Sequence, residues 1–223
     1  MNTEKIKNKF VLGVLFILPI VVYLFFSSGV NNFARLPVLT ESIIEVDNWM
    51  SFNGDKVKFD NNITVLGFWG DDMKIKKSDG FNLNQKIYKR FFEFKDFQFV
   101  FVVKNENHNK LLIQEFKEEL NKGMGTDLSK WKFIFGDQYQ ILELFKSLKS
   151  DLNLSDLMST STVFIIDRSG NLRGRDDDED SGTLFGYNSS SVAEINNKMI
   201  DDVKVILAEY RLALKKNNNL NFR

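Results

Sequence analysis

The chain has 223 residues, of which 43% are hydrophobic, so it is long enough for one domain with a substantial core beyond any N-terminal targeting segment. Its 30 Lys and Arg residues balance 30 Asp and Glu residues, which excludes the strongly basic composition typical of nucleic-acid binding, so we expect no nucleic-acid partner. Cysteine is absent, which excludes disulfides, thiol–disulfide chemistry, lipid-modified cysteine and cysteine-based zinc or copper sites.

An uncharged apolar run near the N-terminus predicts a membrane anchor. Residues 10–26 read FVLGVLFILPIVVYLFF, and a helix continued to residue 30 reaches about 30 Å, the thickness of the bilayer hydrocarbon core. The alternative is a cleaved signal peptide, but the run exceeds the usual apolar region of about 7–15 residues and no A-x-A-like cleavage site follows it. We therefore expect an uncleaved helix that contacts membrane lipid through residues 10–30.

The charges beside this run predict its orientation. Three lysines precede the run, and the first cation after it is Arg35. The positive-inside rule then places the N-terminus in the cytoplasm and the domain in the periplasm, so we expect a single-pass inner-membrane protein. The expected organisation is a cytoplasmic N-terminus at residues 1–9, the anchor at 10–30, a tether at 31–40, a domain at 41–215 and a polar tail at 216–223 that frays.

Strand predictions come from short apolar runs in the domain. A leading hairpin is expected because Asn53-Gly54 is a strong turn signal between residues 49–52 and residues 56–59. Near-continuous apolar runs are typical of strands buried on both faces, as in a parallel sheet. These runs are Ile63–Trp69, Phe97–Val103 and Thr162–Asp167, with shorter strands at Trp131–Phe135 and, after a turn at 168–171, at Leu172–Arg175.

Helix predictions come from apolar residues at helical spacing and from capping residues. The expected helices are Asn82–Phe94 with Asn82 as N-cap, Leu111–Lys122, Gln138–Lys149, and a closing helix opened by the capping box Ser191-x-x-Glu194. Alternation of buried strands with helices predicts an α/β fold, a mixed sheet with helices on both faces.

This order of elements resembles the thioredoxin-like superfamily and, within it, the membrane-anchored Sco/SenC branch associated with copper delivery to cytochrome oxidase. The resemblance extends over about residues 31–215. The sequences that carry it are the apolar run followed by Leu36-Pro37, then Val65–Trp69, Trp131–Gly136 and, most specifically, Phe164–Arg175 (FIIDRSGNLRGR). It implies a thioredoxin-like mixed sheet flanked by helices and preceded by one N-terminal transmembrane helix.

The sequence differs from the family where the family performs its chemistry. The resemblance implies a C-x-x-x-C pair near Asp71 and Ile75 and a ligand histidine near Ser159. In the C-x-x-C register of ordinary thioredoxins, the two cysteines would instead fall at Met73 and Lys76. Neither register leaves a thiol or an imidazole, and no proline precedes the strand at residue 162. We therefore expect the fold without the redox activity, a pseudoenzyme with no catalytic residue and no cofactor.

A metal site is the alternative for this region. The carboxyl ends of parallel strands meet at one edge of a sheet, so Asp71, Asp72 and Met73 are expected near the loop that carries His108, the single histidine. Imidazole and thioether groups suit copper, so these four residues could hold a copper ion. The other interpretation is that the aspartates form a solvated turn and His108 lies on an exposed polar loop.

A run of five acidic residues stands out after the last predicted hairpin, namely Asp176, Asp177, Asp178, Glu179 and Asp180. Calcium binding is one interpretation, but Ser181 stands where an EF-hand loop requires glycine and Tyr187 where it requires glutamate. Adjacent like charges favour a solvated loop. A cation site or a docking loop for a basic partner are the alternatives.

The predicted function is a membrane-anchored, non-catalytic thioredoxin-fold protein that presents an interaction domain in the periplasm. The expected partner is a membrane or periplasmic protein complex, such as a respiratory oxidase under assembly. Two alternatives are a copper-binding or copper-delivery module with ligands other than cysteine, and a structural subunit whose anchor helix makes the main contact.

Overall fold

The structure is a computed structural model that describes residues 3–28, 35–125 and 127–220; the side chains of residues 3–10, 25–28, 124 and 213–220 are not included. The chain divides into two units, residues 1–34 and residues 35–223. Part of the predicted tether, residues 31–34, lies outside the described residues, as do residues 221–223 of the predicted tail.

The first unit is one helix, α1 (Thr3–Ser28), with Pro19 inside it. Its large apolar side chains between Val11 and Leu24 are exposed in the isolated chain, Phe16 to 66%. Within the described residues, no helix is both long and apolar enough to cross a bilayer. The predicted transmembrane anchor is therefore not confirmed by the structure.

The second unit is built on a mixed sheet. The strands are β1 (Val38–Thr40), β2 (Met50–Ser51), β3 (Ile63–Gly70), β4 (Phe97–Lys104), β5 (Trp131–Gly136), β6 (Thr162–Ile166), β7 (Leu172–Arg173), β8 (Arg175–Asp178), β9 (Gly182–Leu184) and β10 (Tyr187–Asn188). Within the described residues the sheet has eight of these strands, in the order β1-β7-β6-β3-β4-β5-β2 with β10 beside β6. Strands β8 and β9 form a separate hairpin. Strands β3, β4 and β5 are parallel, and β6 runs antiparallel to β3.

Helices cover both faces of this sheet, as the sequence predicts. They are α2 (Met73–Leu83), continued by a π-helical turn (Asn84–Tyr88) into α3 (Lys89–Phe91), then α4 (Asn107–Met124), α5 (Gln138–Ser147), α6 (Val192–Glu194), a second π-helical turn (Ile195–Met199) and α7 (Ile200–Leu220). The helix α7 includes most of the segment predicted to be a fraying tail.

Alternate side chains of β3 enter two cores because neighbouring residues of a strand point to opposite faces. Val65 and Trp69 pack with buried residues of α2, α4 and α7. Leu66 and Phe68 pack on the other face with buried residues of α5. The four predicted apolar strands are therefore confirmed, and a thioredoxin-like layered α/β architecture is the result.

The predicted leading hairpin is wrong. Met50 and Ser51 pair with Phe135 and Ile134 of β5 instead of with residues 56–59. The Asn53-Gly54 turn is present, since the Gly54 N–H donates to the Ser51 carbonyl, but the chain then leaves the sheet. Strand β2 thereby covers the edge of the sheet at β5. A turn signal is local and does not reveal pairing with a strand that is distant in sequence.

The predicted helix start at Asn82 is also wrong. The helix begins at Met73, nine residues earlier, with Asp72 at the N-cap position. Its buried stripe includes Lys76, Asp79 and Gly80, so hydrophobic periodicity does not detect it. Asn82 lies inside the helix, where its amide donates to the Ser189 carbonyl at 3.1 Å.

The acidic run forms part of an ordered hairpin where the charge pattern predicts a loop, although four of its five side chains are exposed. Residues 175–178 form β8, which pairs with β9 across a turn. Asp178 is buried, with 6% of its surface exposed, because Lys198 neutralises it at 2.7 Å. A cation 20 residues away in sequence thus converts the expected loop into an ordered hairpin.

Two helix starts are refined by the structure. α4 begins at Asn107, one turn before the predicted start, so His108 lies in the first turn of a helix and not on a loop. At α6 the Ser191 hydroxyl accepts from the Glu194 N–H, as predicted. The Glu194 carboxylate, however, accepts from the Asn188 N–H, so only half of the capping box forms.

Candidate functional site

The candidate site lies at the carboxyl ends of the parallel strands, where β3 and β4 lead into α2 and α4. We call residues 70–76, 105–109 and 155–161 the carboxyl pole. In open α/β sheets this edge is where ligands bind, because loops and helix N-termini converge there. The five positions at which the resemblance implies cysteines or a ligand histidine all fall here: Asp71, Met73, Ile75, Lys76 and Ser159.

The loop at 155–161 is fixed against the end of β3. The Asp71 N–H donates to the Leu157 carbonyl at 2.8 Å, and the Thr160 N–H donates to the Phe68 carbonyl at 2.9 Å. Gly70 has a positive φ of 49°, and a Cβ there would lie 2.0 Å from the Leu157 oxygen. Only glycine therefore allows the two segments to approach this closely.

Asp72 and two serines form a hydrogen-bonded chain within the pole. The Ser159 hydroxyl donates to the Asp72 carboxylate at 3.1 Å. The Ser155 and Ser159 hydroxyls lie 2.8 Å apart. Ser159 is only 4% exposed, and Asp72 lies at the N-terminus of α2, where the helix dipole favours a negative charge. The position where the resemblance implies a histidine ligand is thus occupied by a small, hydrogen-bonded side chain.

Lys76 is buried beside a third serine. Its Nζ donates to the Ser161 hydroxyl at 2.7 Å and lies 3.7 Å from the Asp79 carboxylate, with both charged side chains less than a tenth exposed. Lys76, Ser161 and Asp79 therefore form a buried polar cluster whose members are bonded to one another within the pole.

His108 and Asp71 lie together, as strand topology predicts. His108 Nε2 is 2.7 Å from Asp71 Oδ1, with the imidazole 57% and the carboxylate 24% exposed. The Asn109 amide donates to the same carboxylate oxygen at 2.9 Å. The Asn109 Oδ1 atom is buried, and it has no hydrogen-bond partner among the described residues.

Two of the four residues predicted as copper ligands are therefore adjacent, and two are not. Met73 is 2% exposed and packs in the core below α2, while Asp72 accepts from Ser159. Among the described residues, no three His, Asp or Glu side chains converge in a group that could hold a metal ion. The pair of His108 and Asp71 alone supplies fewer donors than copper sites in proteins use.

Three exposed apolar side chains lie on the segments that carry these polar residues. Ile75 is 68% exposed, Leu111 64% and Leu157 45%. Leu111 follows His108 by three residues on α4, so both lie on one helix face, and the Leu157 carbonyl accepts from the Asp71 N–H. The sequence singled out Ile75 only as a position of a family cysteine, and it did not mark Leu111 or Leu157.

The acidic hairpin lies outside this pole and is bound to the closing helix. Lys198 contacts both Asp178 and Asp180 at 2.7 Å. The hydrogen bonds that the Asp178 carboxylate accepts, chiefly the one from Lys198, lower the pKa of Asp178 to about 2. Four residues of the predicted docking loop, Asp176, Asp177, Glu179 and Asp180, remain exposed.

Comparison with known proteins supports the fold. No protein-family model matches the sequence, and no curated protein is significantly similar to it. Among solved structures, a SCO1/SenC family lipoprotein from Bacillus anthracis is similar with a TM-score of 0.51 and 16% identity, over 80% of this chain and 99% of that protein. BsSco, a member of the Sco family of cytochrome c oxidase assembly proteins, gives 0.52 and 15%, over 76% and 95%.

A copper-bound ScoI from Arabidopsis thaliana is a more distant neighbour, with a TM-score of 0.44 and 14% identity over 74% of this chain. The expected resemblance to the Sco/SenC branch is confirmed at the level of architecture. At these identities the comparison shows the fold alone, a thioredoxin-like fold of the kind found in Sco proteins, over 80% and 76% of this chain.

Proposed function

We propose that this protein is a non-catalytic thioredoxin-fold module whose carboxyl pole binds a partner protein. One observation carries the proposal: the polar side chains of the pole are bonded to one another, while Ile75, Leu111 and Leu157 around them are exposed. Exposed apolar groups rimmed by polar ones are typical of protein-binding surfaces.

The same contacts support a non-catalytic role. The chain has no thiol, the Ser159 hydroxyl donates a hydrogen bond to the Asp72 carboxylate, and Lys76 is bonded to Ser161 and lies beside Asp79. Reactive groups in enzymes instead point toward the space that a substrate occupies. A preformed surface that needs no rearrangement suits binding better than turnover.

We further propose that the domain is held at the inner membrane, with the N-terminus in the cytoplasm and the domain in the periplasm. The uncharged sequence of residues 10–26 and the lysines before it support this placement. This uncharged run is longer than the part of α1 whose side chains the structure describes, which is residues 11–24. The similar Bacillus anthracis protein is a lipoprotein; with no cysteine to carry a lipid, this chain would rely on its helix.

The partner that we propose is a membrane or periplasmic protein complex, with a respiratory oxidase under assembly as the first candidate. BsSco belongs to a family of cytochrome c oxidase assembly proteins, and this candidate rests on analogy of fold, which by itself does not determine function.

Co-purification from native membranes tests the binding surface. We expect the full chain with Ile75→Asp and Leu157→Asp to recover at least about tenfold less partner than the unchanged chain, because a charge in an apolar contact must be desolvated. Ile44→Asp is the matched control: Ile44 is 43% exposed and lies beside the turn after β6, at the opposite end of the sheet. Equal recovery by both variants would contradict the proposal.

Replacing residues 10–30 with an unrelated apolar helix separates this proposal from the alternative in which the anchor makes the main contact. The proposed surface predicts that recovery of the partner is retained. Loss of the partner in this chimera, with the pole unchanged, would favour the structural-subunit alternative.

A copper-binding role is the second candidate, favoured by the 2.7 Å contact between His108 and Asp71. Copper titration of the full chain, followed in His108→Ala and Asp71→Asn, tests it. Binding at micromolar copper that both substitutions abolish would support the role, and absence of binding in the unchanged chain would end it.

A further inference from the structure

A second site lies at the opposite end of the sheet, which we call the amino pole, where β3 and β4 begin and β6 ends. A cavity of about 310 Å³ opens there between the segment 93–96, Arg168 and the outer part of α7. A second cavity of about 150 Å³ adjoins it, and the two share Phe94, Leu207 and Arg211. The pair forms one groove beside α7.

The floor of this groove is apolar and largely aromatic. Ile63, Leu207 and Tyr210 line the larger cavity, and Phe91 lines the smaller one. Phe94, which lines both, is 38% exposed. Cavities of this size that are lined mainly by apolar side chains and carry a few polar groups are typical of small-ligand sites.

The rim of the groove carries excess positive charge. Four cations line it, Lys95, Arg168, Lys204 and Arg211, against two carboxylates, Glu93 and Asp96. The chain as a whole has equal numbers of positive and negative side chains, so this excess is local.

Two of these cations are available to a ligand. Within the described residues, Lys95 and Arg211 are exposed and make no ion pair or hydrogen bond. Arg168 is already oriented, since its guanidinium lies 5.8 Å above the Tyr210 ring and 3.5 Å from Asp96. A fixed arginine fork beside unpaired cations matches the geometry of a carboxylate.

We propose that this groove binds a small amphiphilic carboxylate. Its apolar part lies against Phe94, Leu207 and Tyr210, and its carboxylate lies at the cationic rim formed by Arg211, Lys95 and Arg168. The two rim carboxylates limit the site to a ligand of low negative charge, because a polyanion would meet Glu93 and Asp96 at close range. The groove is at the pole opposite the proposed protein-binding surface, so the two proposals stand or fall separately.

Isothermal titration tests this site with 4-phenylbutyrate as the probe and the full chain in lipid nanodiscs, after subtraction of the heats on empty nanodiscs. We expect saturable binding at one site per chain. The neutral analogue 4-phenylbutan-1-ol is expected to bind at least about tenfold more weakly because it lacks the charge that the rim attracts. Equal binding of the acid and the alcohol, or no saturable binding of the acid, would overturn the proposal.

Substitutions at the rim localise the probe. Arg211→Gln is expected to weaken binding about tenfold and Arg211→Glu to abolish it, since Arg211 is exposed and its replacement leaves the fold intact. Arg90→Gln, an exposed arginine outside the groove, is the matched control and is expected to bind as the unchanged chain does. An unchanged affinity in Arg211→Glu would place the ligand elsewhere and contradict the assignment.

Discussion

The buried polar side chains of two regions of the domain are held by different kinds of bond. At the carboxyl pole, serine hydroxyls contact Asp72 and Lys76 at the start of α2. Beneath α7, by contrast, Arg175 and the Tyr187 hydroxyl both donate to Asp202 at 2.7 Å. We call this second region the closing-helix network.

The closing-helix network extends to one further cation. Arg173 is buried and donates to the Leu36 carbonyl, to Asp167 and to Glu209. Burial beside the Asp202 carboxylate raises the pKa of Tyr187 well above its usual value. Each buried charge here has a partner on another element, so strands β7 and β8 are joined to α7 by charge-assisted bonds.

The difference between these regions separates stability from function. Removing one partner of a buried ion pair costs about 3–5 kcal/mol because the remaining charge stays desolvated. A hydrogen bond from a serine hydroxyl to a charged group, such as that of Ser159 to Asp72, contributes at most about 1.5–3 kcal/mol. Apart from the buried pair of Lys76 and Asp79, the carboxyl pole is therefore held by individually weaker bonds than the closing-helix network, and its serines can be replaced with the fold retained.

Asp202→Ala tests the stronger region and has the largest expected effect. It removes the acceptor of both Arg175 and Tyr187, so we expect the free energy of unfolding to fall by about 3 kcal/mol. Asp201→Ala is the matched control, since the neighbouring Asp201 contacts only an exposed lysine and its loss should leave stability nearly unchanged. Denaturant unfolding measures the free energy of unfolding of both variants. Equal values would contradict the conclusion that the closing-helix network stabilises the fold.

Gly70→Ala tests the one point at the carboxyl pole where the backbone itself is constrained. Its Cβ would lie 2.0 Å from the Leu157 oxygen at a φ of +49°, so we expect a loss of about 2–3 kcal/mol. Gly182→Ala is the control: it has a φ of +70° with no atom within 4 Å of the added Cβ, and should cost about 1 kcal/mol. In the same denaturant measurement, Gly182→Ala gives the cost of the positive φ alone. The additional loss in Gly70→Ala gives the cost of the overlap with the Leu157 oxygen.

Acid titration examines the ion pair between Asp178 and Lys198. The pKa of Asp178 is lowered from 3.8 to about 2 in the folded chain, chiefly by the hydrogen bond from Lys198. A lowered folded-state pKa gives stability that is present above pH 3.8 and is lost as the pH falls toward 2. We expect the stability difference between the unchanged chain and Asp178→Asn to shrink over this interval; a difference that is constant from pH 5 to pH 2 would show that the pair contributes nothing.

Ser159→Ala examines the weaker bonds of the carboxyl pole and has the smallest expected effect. Loss of the hydroxyl that donates to Asp72 should cost about 1 kcal/mol. Ser78→Ala, at an exposed serine of α2, is the control and should leave the free energy of unfolding nearly unchanged. A loss in Ser159→Ala as large as that in Asp202→Ala would mean that the pole is as essential to the fold as the closing-helix network.

The sequence predicted the parts of the fold that follow from apolar patterns. Strands such as Phe97–Val103 are buried on both faces, and their near-continuous apolar runs are sufficient to detect them. The contact of His108 with Asp71 also followed from topology, because parallel strands end at one edge.

Elements with polar residues in buried positions could not be predicted in the same way. Nearly all of α2 was missed because Lys76 and Asp79 lie on its buried face. The acidic hairpin was missed because the charge that neutralises Asp178 is on Lys198, in another element. The bonds of Ser159 to Asp72 and of Ser161 to Lys76 join residues that are 87 and 85 positions apart, which sequence spacing does not encode.

Site-specific photo-crosslinking in native membranes tests the central claim, that the carboxyl pole binds a partner protein. A photoreactive amino acid is placed at Ile75 in one full-length variant and at Ile44 in another. The account predicts a discrete cross-linked partner from position 75 and none from position 44. The same adducts from both positions, or none from position 75 in membranes that retain the partner, would contradict it.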